Sequence, residues 1–442
     1  MSAAPSLSIW HPFTQANVDP PPLTISRAEG SYLYTTDGRR IIDAISSWWV
    51  NLHGHCHPHI AKAVAAQVEK LDHVLLAGFS HEPVERLTRK LRHFIPAALA
   101  NIFYSDDGST AVEVALKLAV QYWRNQGRDQ KQEIIALDHA YHGDTAGAMS
   151  VSADSGFTAP FAHLRFPVHR VHSAYCARCP VGKRRSECAI DCIQSLRATL
   201  EQNSERIAAI IVEPLLQGAG GMIVHPVEFL KQIRALCDRY EVLLIADEVL
   251  TGFGRCGKMF ACEIARVVPD LMCISKGITG GFLPLGATLC TEAVYNEFRG
   301  EGHSFFHGHS YTGNPLACAA AVANLEIFEA GNVWEQIDAI AALHKQRLAY
   351  FSSHSDVLEV RQIGTVAAIE LKADDAGYFS TLKPRLYRFF LERGVLLRPL
   401  GHVIYLLPPY CISSDDLNLV YDVIQEAIRL VRYHATSQSA CS

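Results

Sequence analysis

Several features that would assign the chain to a specialised class are missing from it. No run approaches the roughly 18 apolar residues of a membrane-spanning helix. Positive charge is not in excess, since 40 lysines and arginines stand against 45 aspartates and glutamates, and the net charge of −5 does not favour nucleic-acid binding. The start, MSAAPSLSIWHPFTQ, has no basic segment followed by an apolar one. We therefore predict a cytoplasmic protein with neither a membrane nor a nucleic-acid partner.

What is present is the composition of a large folded protein, with 49% hydrophobic and 19% charged residues among 442. Short apolar runs such as AAIIV, VLLIAD and LMCIS alternate with helical patterns such as STAVEVALKLAVQYWR. This alternation predicts an α/β fold with a mostly parallel sheet between helices. We predict a large domain over residues 51–330 and a smaller α+β domain over 331–442, which ends in a helix over 415–433. An N-terminal segment, 1–50, is expected to pack against the smaller domain.

The thirteen cysteines are mostly scattered through apolar segments. An odd number without an export signal indicates reduced thiols. Four of them have metal-ligand spacing within YCARCPVGKRRSECAIDC: Cys176, Cys179, Cys188 and Cys192. Zinc binding is one interpretation of this group. We favour a surface insertion with free thiols, because the segment lies between helical and strand patterns, and so predict no metal site.

Two apolar segments each end in a residue with a reactive side chain. VLLIADEVLTGFGRCG places Asp247 directly after one segment, and DLMCISKGITGG places Lys276 after the other. A lysine at the end of a buried strand is poorly solvated, so its amine loses a proton more easily and can act as a nucleophile. A carboxylate at a neighbouring strand end can hold a positive ring nitrogen. Pyridoxal phosphate (PLP) requires both, a lysine for a Schiff base and an acid for its pyridinium nitrogen.

Two loops are candidates for binding a phosphate. SDDGSTAVE places Gly108 and Ser109 at the start of an amphipathic helix, where exposed backbone amides and the helix dipole suit an anion. A serine there is more commonly a helix cap, so the signal depends on its agreement with the lysine and the aspartate. In FFHGHSYTGNPLACAAA, Gly308 begins a polar loop in which Ser310 can reach a phosphate or serve in capping.

Aromatic residues and one arginine are candidates for ring and substrate contacts. Tyr141 follows a predicted strand and can stack on a cofactor ring or pack on the surface. The tandem Trp48 and Trp49 can wall a substrate pocket, although tryptophans more often pack in a core. Arg398 ends an apolar run, with Tyr405 soon after, and a strand-end arginine can bind a carboxylate bidentately or form a structural ion pair.

These motifs together resemble the class III, fold-type I PLP-dependent aminotransferases over essentially the full length. The class-level resemblance lies in VEPLLQGAGGM, ADEVLTGFGRCGKMFACE, SKGITGG and TGNPLACAAA. IWHPFTQ, SSWWVNLHGHCHP, YHGDTAGAMSV and RPLGHVIYLLPPY are similar to the members that act in biotin biosynthesis. The resemblance implies the fold-type I architecture and a homodimer with shared active sites.

The resemblance also implies a role for each candidate residue. Lys276 would bond covalently to PLP and move the proton during catalysis, while Asp247 would keep the ring nitrogen protonated. The other residues at the cofactor would be Gly108, Ser109, Tyr141 and, from the partner subunit, Ser310. The residues at the substrate would be Trp48, Trp49, Tyr141, Gly308, Arg398 and Tyr405, with Arg398 binding a carboxylate.

The implied reaction converts 8-amino-7-oxononanoate to 7,8-diaminononanoate. The amino donor is S-adenosylmethionine or lysine, because HGHSYTGN replaces the HGPTF-type sequence of members that use S-adenosylmethionine. Phe13 stands where some members have tyrosine. Two alternatives remain: another ω-aminotransferase acting on a diamine or ω-amino acid, and a metal-binding regulatory protein that has lost catalysis.

Overall fold

The computed structural model describes residues 9–15, 19–373, 377 and 380–438, with the backbone alone for 430–438. The first eight residues, on which the prediction about an export signal partly depends, lie outside the described residues. No single described helix is both long and apolar enough to cross a membrane, and the one pair that would do so together is bent by 74°.

The described chain forms strands and helices throughout its length. The strands are β1 (Ile25–Glu29), β2 (Tyr32–Thr35), β3 (Arg40–Asp43), β4 (Asn101–Ser105), β5 (Glu133–Leu137), β6 (His169–Val171), β7 (Ile207–Val212), β8 (Leu216–Gln217), β9 (Ile223–Val224), β10 (Leu243–Asp247), β11 (Leu271–Ile274), β12 (Gly286–Cys290), β13 (Val357–Ile363), β14 (Val366–Leu371), β15 (Val395–Leu396) and β16 (Val403–Leu406). The helices are α1 (Ser46–Trp49), α2 (Pro58–Val68), α3 (Glu82–Leu91), α4 (Gly108–Asn125), α5 (Ala146–Val151), α6 (Gln194–Asn203), α7 (Val227–Tyr240), α8 (Ala261–Ala265), α9 (Glu292–Asn296), α10 (Pro315–Glu329), α11 (Asn332–Phe351), α12 (Leu382–Glu392) and α13 (Ser414–Gln438).

The largest sheet has seven strands in the order β4-β12-β11-β10-β7-β5-β6. Strand β12 is antiparallel to both of its neighbours, while β5, β6, β7, β10 and β11 pair in parallel. The predicted α/β fold with a mostly parallel sheet is therefore confirmed. Because β7, β10 and β11 are adjacent and parallel, the residues that follow them meet at one edge of the sheet.

Both faces of this sheet are buried, which explains why its strands are continuous apolar runs. Along β7, Ile211 belongs to the core under α4, whereas Ile210 and Val212 belong to the core that includes Phe229 of α7. Strand side chains alternate between faces, so a strand covered on both sides must be apolar at every position. Helix α4 begins at an Asp107 cap that accepts the Thr110 N–H at 2.8 Å.

A second sheet, β1-β2-β3-β15, joins the two ends of the chain. Strands β2 and β3 form an antiparallel hairpin, and β15 pairs in parallel with β3. A third sheet, β13-β14-β16, lies in the C-terminal part. The N-terminal segment thus contacts the C-terminal part; the division at residues 50 and 330 stays a prediction.

The last helix is longer than the sequence predicted. Helix α13 runs over Ser414–Gln438 rather than 415–433. Ser413 Oγ accepts the Asp416 N–H at 3.0 Å and donates to its carboxylate at 2.7 Å, so the cap lies just before Ser414. No glycine or proline follows within the helix, so nothing in the backbone chemistry ends it at 433.

Candidate active site

Three neighbouring strands deliver chemically active side chains to one edge of the large sheet. Glu213 follows β7, Asp247 ends β10, and Lys276 follows β11 after a single serine. All three line one cavity of about 450 Å³. The cavity also contacts the start of α4 and the segment 281–285, which connects to β12. A pocket of this size at the carboxyl ends of parallel strands fits a small cofactor.

The Lys276 amine lies in surroundings that favour its neutral form. Burial lowers the pKa of Lys276 from its usual value, while the carboxylates of Asp247 and Glu213 act in the opposite direction. Its Nζ lies 5.4 Å from the centre of the Trp49 ring. The backbone at Lys276 has φ +32° and begins a 3₁₀ turn over Lys276–Thr279, so the side chain leaves the strand direction at the cavity. A partly desolvated amine of this kind is a competent nucleophile.

Asp247 is a buried carboxylate with two partners in the protein. Its Oδ1 accepts the Val249 N–H at 3.1 Å, and its Oδ2 accepts from His142 Nδ1 at 2.7 Å. His142 is itself buried, and its Nε2 has no hydrogen-bond partner among the described residues. The histidine therefore orients the carboxylate, which remains directed at the cavity as an acceptor for a positive group.

Glu213 is a second buried carboxyl beside Asp247. Burial raises the pKa of Glu213 to about 7, and the neighbouring Asp247 adds to that rise. Its two oxygens accept the N–H groups of Tyr141 at 3.0 Å and Gly218 at 2.9 Å. These bonds fix the loop that carries Tyr141 against the loop after β7. Tyr141 lines the cavity, and burial raises the pKa of its phenol, so it stays protonated.

The start of α4 packs so tightly that two neighbouring positions have room only for glycine. A Cβ added at Gly108 would lie 2.6 Å from Val249 Cγ1, and one added at Gly143 would overlap Ser109 Oγ. Gly143 also has φ +131°, a conformation that side chains rarely adopt. Ser109 Oγ accepts the Asp144 N–H at 3.3 Å. Backbone, hydroxyl and helix N-terminus converge here, which is the chemistry of an anion site.

The two tryptophans lie in a single turn of unusual backbone geometry. Residues Ser46, Ser47, Trp48 and Trp49 have φ of 53°, 46°, 79° and 78°. This left-handed turn costs roughly 1–2 kcal/mol per residue without glycine. Such strain persists only where the surroundings enforce it, and it is concentrated at functional sites.

The rings of Trp48 and Trp49 have different surroundings. Trp49 is buried, lines the cavity and donates from Nε1 to the Tyr405 hydroxyl at 3.0 Å. Trp48 is 38% exposed, with the Arg398 guanidinium 4.6 Å from its ring centre and the Phe13 ring at 5.3 Å. Four predicted substrate-side residues thus contact each other in two pairs, Trp49 with Tyr405 and Trp48 with Arg398, and of these four only Trp49 lines the cavity.

Gly308 and Ser310 are not among the lining residues of the cavity that one described chain forms. They lie in the segment before α10, where Thr312 Oγ1 donates to the carbonyl of His309 at 2.9 Å. His309 Nδ1 lies 3.4 Å from Asp106 Oδ2, and Asp106 lines the cavity. This segment therefore passes close to the cavity at Asp106 without lining it.

The cysteine segment is held to the C-terminal part of the chain. Cys192 is buried in the core, and the guanidinium of Arg178, between the first two cysteines, pairs with Glu370. The twelve described cysteines form no disulfide, and Cys441 lies outside the described residues. Among the described residues no three histidine, cysteine, aspartate or glutamate side chains are grouped so as to hold a metal ion.

Three residues at or near the site were not predicted as members of it. His142 and Glu213 were noticeable from sequence, because one follows Tyr141 and the other follows an apolar run, but their partners were not. Phe157 lies 5.9 Å from Phe13 between ring centres. It comes from a loop whose sequence shows no sign of this contact.

Known proteins resemble this chain in sequence and in fold. The family model Aminotransferase class-III matches residues 13–428. The adenosylmethionine-8-amino-7-oxononanoate aminotransferase of Synechococcus elongatus is 45% identical over 423 residues, which cover 95% of this chain and 98% of the relative. The crystal structure of the enzyme with that name from Methanocaldococcus jannaschii superimposes with a TM-score of 0.89 at 37% identity, covering 95% and 96% of the two chains. An amine transaminase from an uncultivated Pseudomonas species, with PLP bound, gives 0.90 at 33% identity, covering 96% and 99%.

Proposed function

The chain belongs to the class-III aminotransferases, and from this premise we propose that it uses PLP to aminate 8-amino-7-oxononanoate to 7,8-diaminononanoate. The observation that carries the chemistry is the shared cavity of Lys276 and Asp247 at the ends of adjacent parallel strands. The substrate is proposed from the names of similar relatives. The predicted cytoplasmic location stays a prediction.

The side chains present fit PLP at three of its polar groups. The phosphate would lie at the start of α4, where Gly108 and Ser109 line the cavity at the N-terminus of the helix. The ring nitrogen would meet Asp247, and the carbonyl carbon would meet the amine of Lys276. Bound PLP supplies an electron sink that stabilises negative charge on the substrate carbon bearing nitrogen.

The protein's part in the reaction is to hold charges and move one proton. The Asp247 carboxylate, oriented by His142, stabilises positive charge at the ring-nitrogen end of the cavity. With PLP bound, Lys276 Nζ would be the group that takes the proton from the substrate carbon and returns it, and burial lowers its pKa, which favours the neutral amine that this role requires. Tyr141 covers the ring, and its protonated phenol adds no charge.

We propose that Arg398 binds the carboxylate of the acceptor and that Trp48 and Trp49 enclose its carbon chain. The planar guanidinium matches a carboxylate bidentately, and its position over the Trp48 ring fixes it beside an apolar wall. An acceptor with one charged end and a long apolar chain suits this combination.

A second candidate function is an ω-aminotransferase acting on another amine. The fold does not separate the two, because the amine transaminase superimposes as closely as the biotin-pathway relative. Identity favours the first, at 37% against 33% for these two structures, and a biotin-pathway relative compared by sequence is 45% identical. Complementation of a biotin-requiring strain that lacks this step decides between them, since an enzyme for other amines would not restore growth.

The donor is tested by a half-reaction. Purified protein with bound PLP is mixed with S-adenosylmethionine alone or with lysine alone, and the visible absorbance band of the cofactor is followed. We propose S-adenosylmethionine as the donor because the relatives carry its name, with lysine as the alternative that the HGHSYTGN sequence raises. A shift with neither donor would contradict both.

We propose that the enzyme is a homodimer in which Ser310 of each subunit reaches the phosphate in the other. Leu75, Phe79, Phe306 and Tyr311 are large exposed apolar side chains, and Phe306 is 87% exposed. Their two segments are adjacent, since the His73 and Tyr311 ring centres are 5.3 Å apart. Apolar surface of this kind marks an interface. Light scattering would show a dimer that Phe306→Asp weakens; a monomeric wild type would contradict it.

A larger residue at Gly143, next to Ser109 at the start of α4, should weaken the binding of PLP. We expect Gly143→Ala to reduce the affinity for PLP by about tenfold or more, because the added Cβ overlaps Ser109 Oγ and the backbone is left-handed. The affinity is measured by titrating cofactor-free protein with PLP. Gly127→Ala is the control, since Gly127 also has positive φ but its Cβ would meet open space. Equal affinities for the two variants would contradict the assignment.

The lowered pKa of Lys276 gives a second prediction. A lowered pKa means that the amine becomes neutral at a lower pH than an exposed lysine does. In folded, cofactor-free protein, Lys276 should react with an amine-acylating reagent at a lower pH than the same lysine does in denatured protein. Mass spectrometry of the Lys276 peptide from the two samples, as a function of pH, measures this. Matching pH profiles would show that burial does not perturb the amine.

A further inference from the structure

The left-handed turn over residues 46–49 is enforced by a buried carboxylate. Asp43 ends β3 and is fully buried. Its Oδ1 accepts the Ile45 N–H at 3.2 Å, and its Oδ2 accepts the Ser47 hydroxyl at 2.8 Å. One carboxylate thus binds the residue before the turn and a residue inside it.

A histidine links this carboxylate to the far side of the turn. His55 Nε2 lies 2.9 Å from Asp43 Oδ2, and His55 Nδ1 lies 3.1 Å from Asn51 Nδ2. The Asp43 carboxylate can only accept, so His55 Nε2 donates to it, and His55 Nδ1 accepts from the Asn51 Nδ2 amide. The chain Asp43–His55–Asn51 therefore closes across residues 46–49.

The pairing of β3 with β15 places Asp43 close to Arg398, the arginine proposed to bind the carboxylate of the acceptor. In the parallel pair of β3 and β15, Asp43 lies opposite Leu396, two residues before Arg398. The turn and the arginine consequently leave the same edge of the sheet, and the Arg398 guanidinium comes to lie over the Trp48 ring. A change in the turn would move the surface on which the guanidinium rests.

We propose that the Asp43–His55 pair is a positioning device for acceptor recognition: by holding the left-handed turn, it places Trp48 against Arg398 and so tunes the site for the acceptor's carboxylate. This inference rests on the proposed function, in which Arg398 binds that carboxylate. Asp43 and His55 themselves touch neither the substrate nor the cofactor. They act through the turn.

The kinetic test compares Asp43→Asn with wild type on two acceptors, 8-amino-7-oxononanoate and its methyl ester. We expect the ratio of kcat/KM for acid over ester to fall by about tenfold, mainly through the KM of the acid, because only the acid uses the placed guanidinium. General damage would lower both acceptors equally and leave the ratio unchanged. Asp37→Asn is the matched control, at the opposite end of the same hairpin, and should keep the wild-type ratio.

A second readout is hydrogen exchange of the peptide spanning 44–52. The N–H groups of Trp49, Val50 and Asn51 are bonded within the turn at 2.9, 3.0 and 3.2 Å. We expect Asp43→Asn to speed their exchange by about tenfold or more and Asp37→Asn to leave it unchanged. Should Asp43→Asn fail to fold, Ser47→Ala removes one donor and should shift both readouts in the same direction by a smaller factor.

The outcomes distinguish a failure of the positioning role of Asp43 from a failure of the proposed function. Unchanged exchange, or faster exchange with an unchanged acid-to-ester ratio, would overturn the positioning role. Wild-type protein that aminates neither acceptor would instead overturn the proposed function, while the exchange measurement would still decide whether Asp43 holds the turn.

Discussion

Replacing Lys276 with alanine is expected to lower the turnover number by about 10⁴-fold, the upper end of what one proton-transfer group contributes. The variant loses the amine that moves the proton and with it the covalent attachment of PLP. Asp247 and the start of α4 are unchanged, so PLP should still bind without a covalent bond. Steady-state turnover and borohydride reduction followed by mass spectrometry measure the two effects.

Lys258→Ala is the control for this experiment, because Lys258 is exposed and lies only 18 positions before Lys276. It should keep wild-type turnover and a borohydride-reducible bond to PLP. A Lys276→Ala protein that retains the reducible bond would show that another lysine holds the cofactor.

The second large effect is expected for Asp247→Asn, which should lower kcat by about 10²- to 10³-fold, as removal of one preorganised charge does. The amide still fills the space, but it no longer stabilises positive charge on the ring nitrogen. His142 would then face a neutral group in place of the carboxylate that it orients at 2.7 Å. Single-turnover rates of the donor half-reaction measure the loss in the chemical step.

Asp270→Asn is the matched control for Asp247. Asp270 also accepts from a backbone N–H, that of Leu244 at 2.7 Å, but it lies at the opposite edge of the same sheet. Its variant should react within a factor of two of wild type. If both variants lost a comparable part of the half-reaction rate, the loss would come from damage to the sheet and not from the missing charge of Asp247.

The sequence was sufficient to predict the architecture that positions this chemistry. Buried parallel strands must be apolar along their whole length, so the runs before Asp247 and Lys276 were recognisable as strands with reactive residues at their ends. The direction of β12 was not predictable, because GATLC is apolar in either orientation. The end of α13 was predicted too early, at 433 instead of 438. No glycine or proline near these residues marks where the helix ends.

Contacts between distant segments were beyond the sequence. The bond from His142 to Asp247 joins residues 105 positions apart, and nothing in YHGD predicts it. The left-handed turn was equally invisible, because Ser-Ser-Trp-Trp contains no glycine and the conformation is enforced by Asp43 and His55. Ser310 stays a prediction because one chain does not bring it to the cavity.

The most direct test of the proposed function follows the transferred nitrogen. Wild-type protein and Lys276→Ala are incubated with 8-amino-7-oxononanoate and one ¹⁵N-labelled donor. S-adenosylmethionine carries the label at its α-amino group, and lysine carries it at both amino groups. We expect ¹⁵N-labelled 7,8-diaminononanoate from wild type with one of these donors and none from Lys276→Ala. Wild-type protein that binds PLP but forms no labelled diamine with either donor would contradict it.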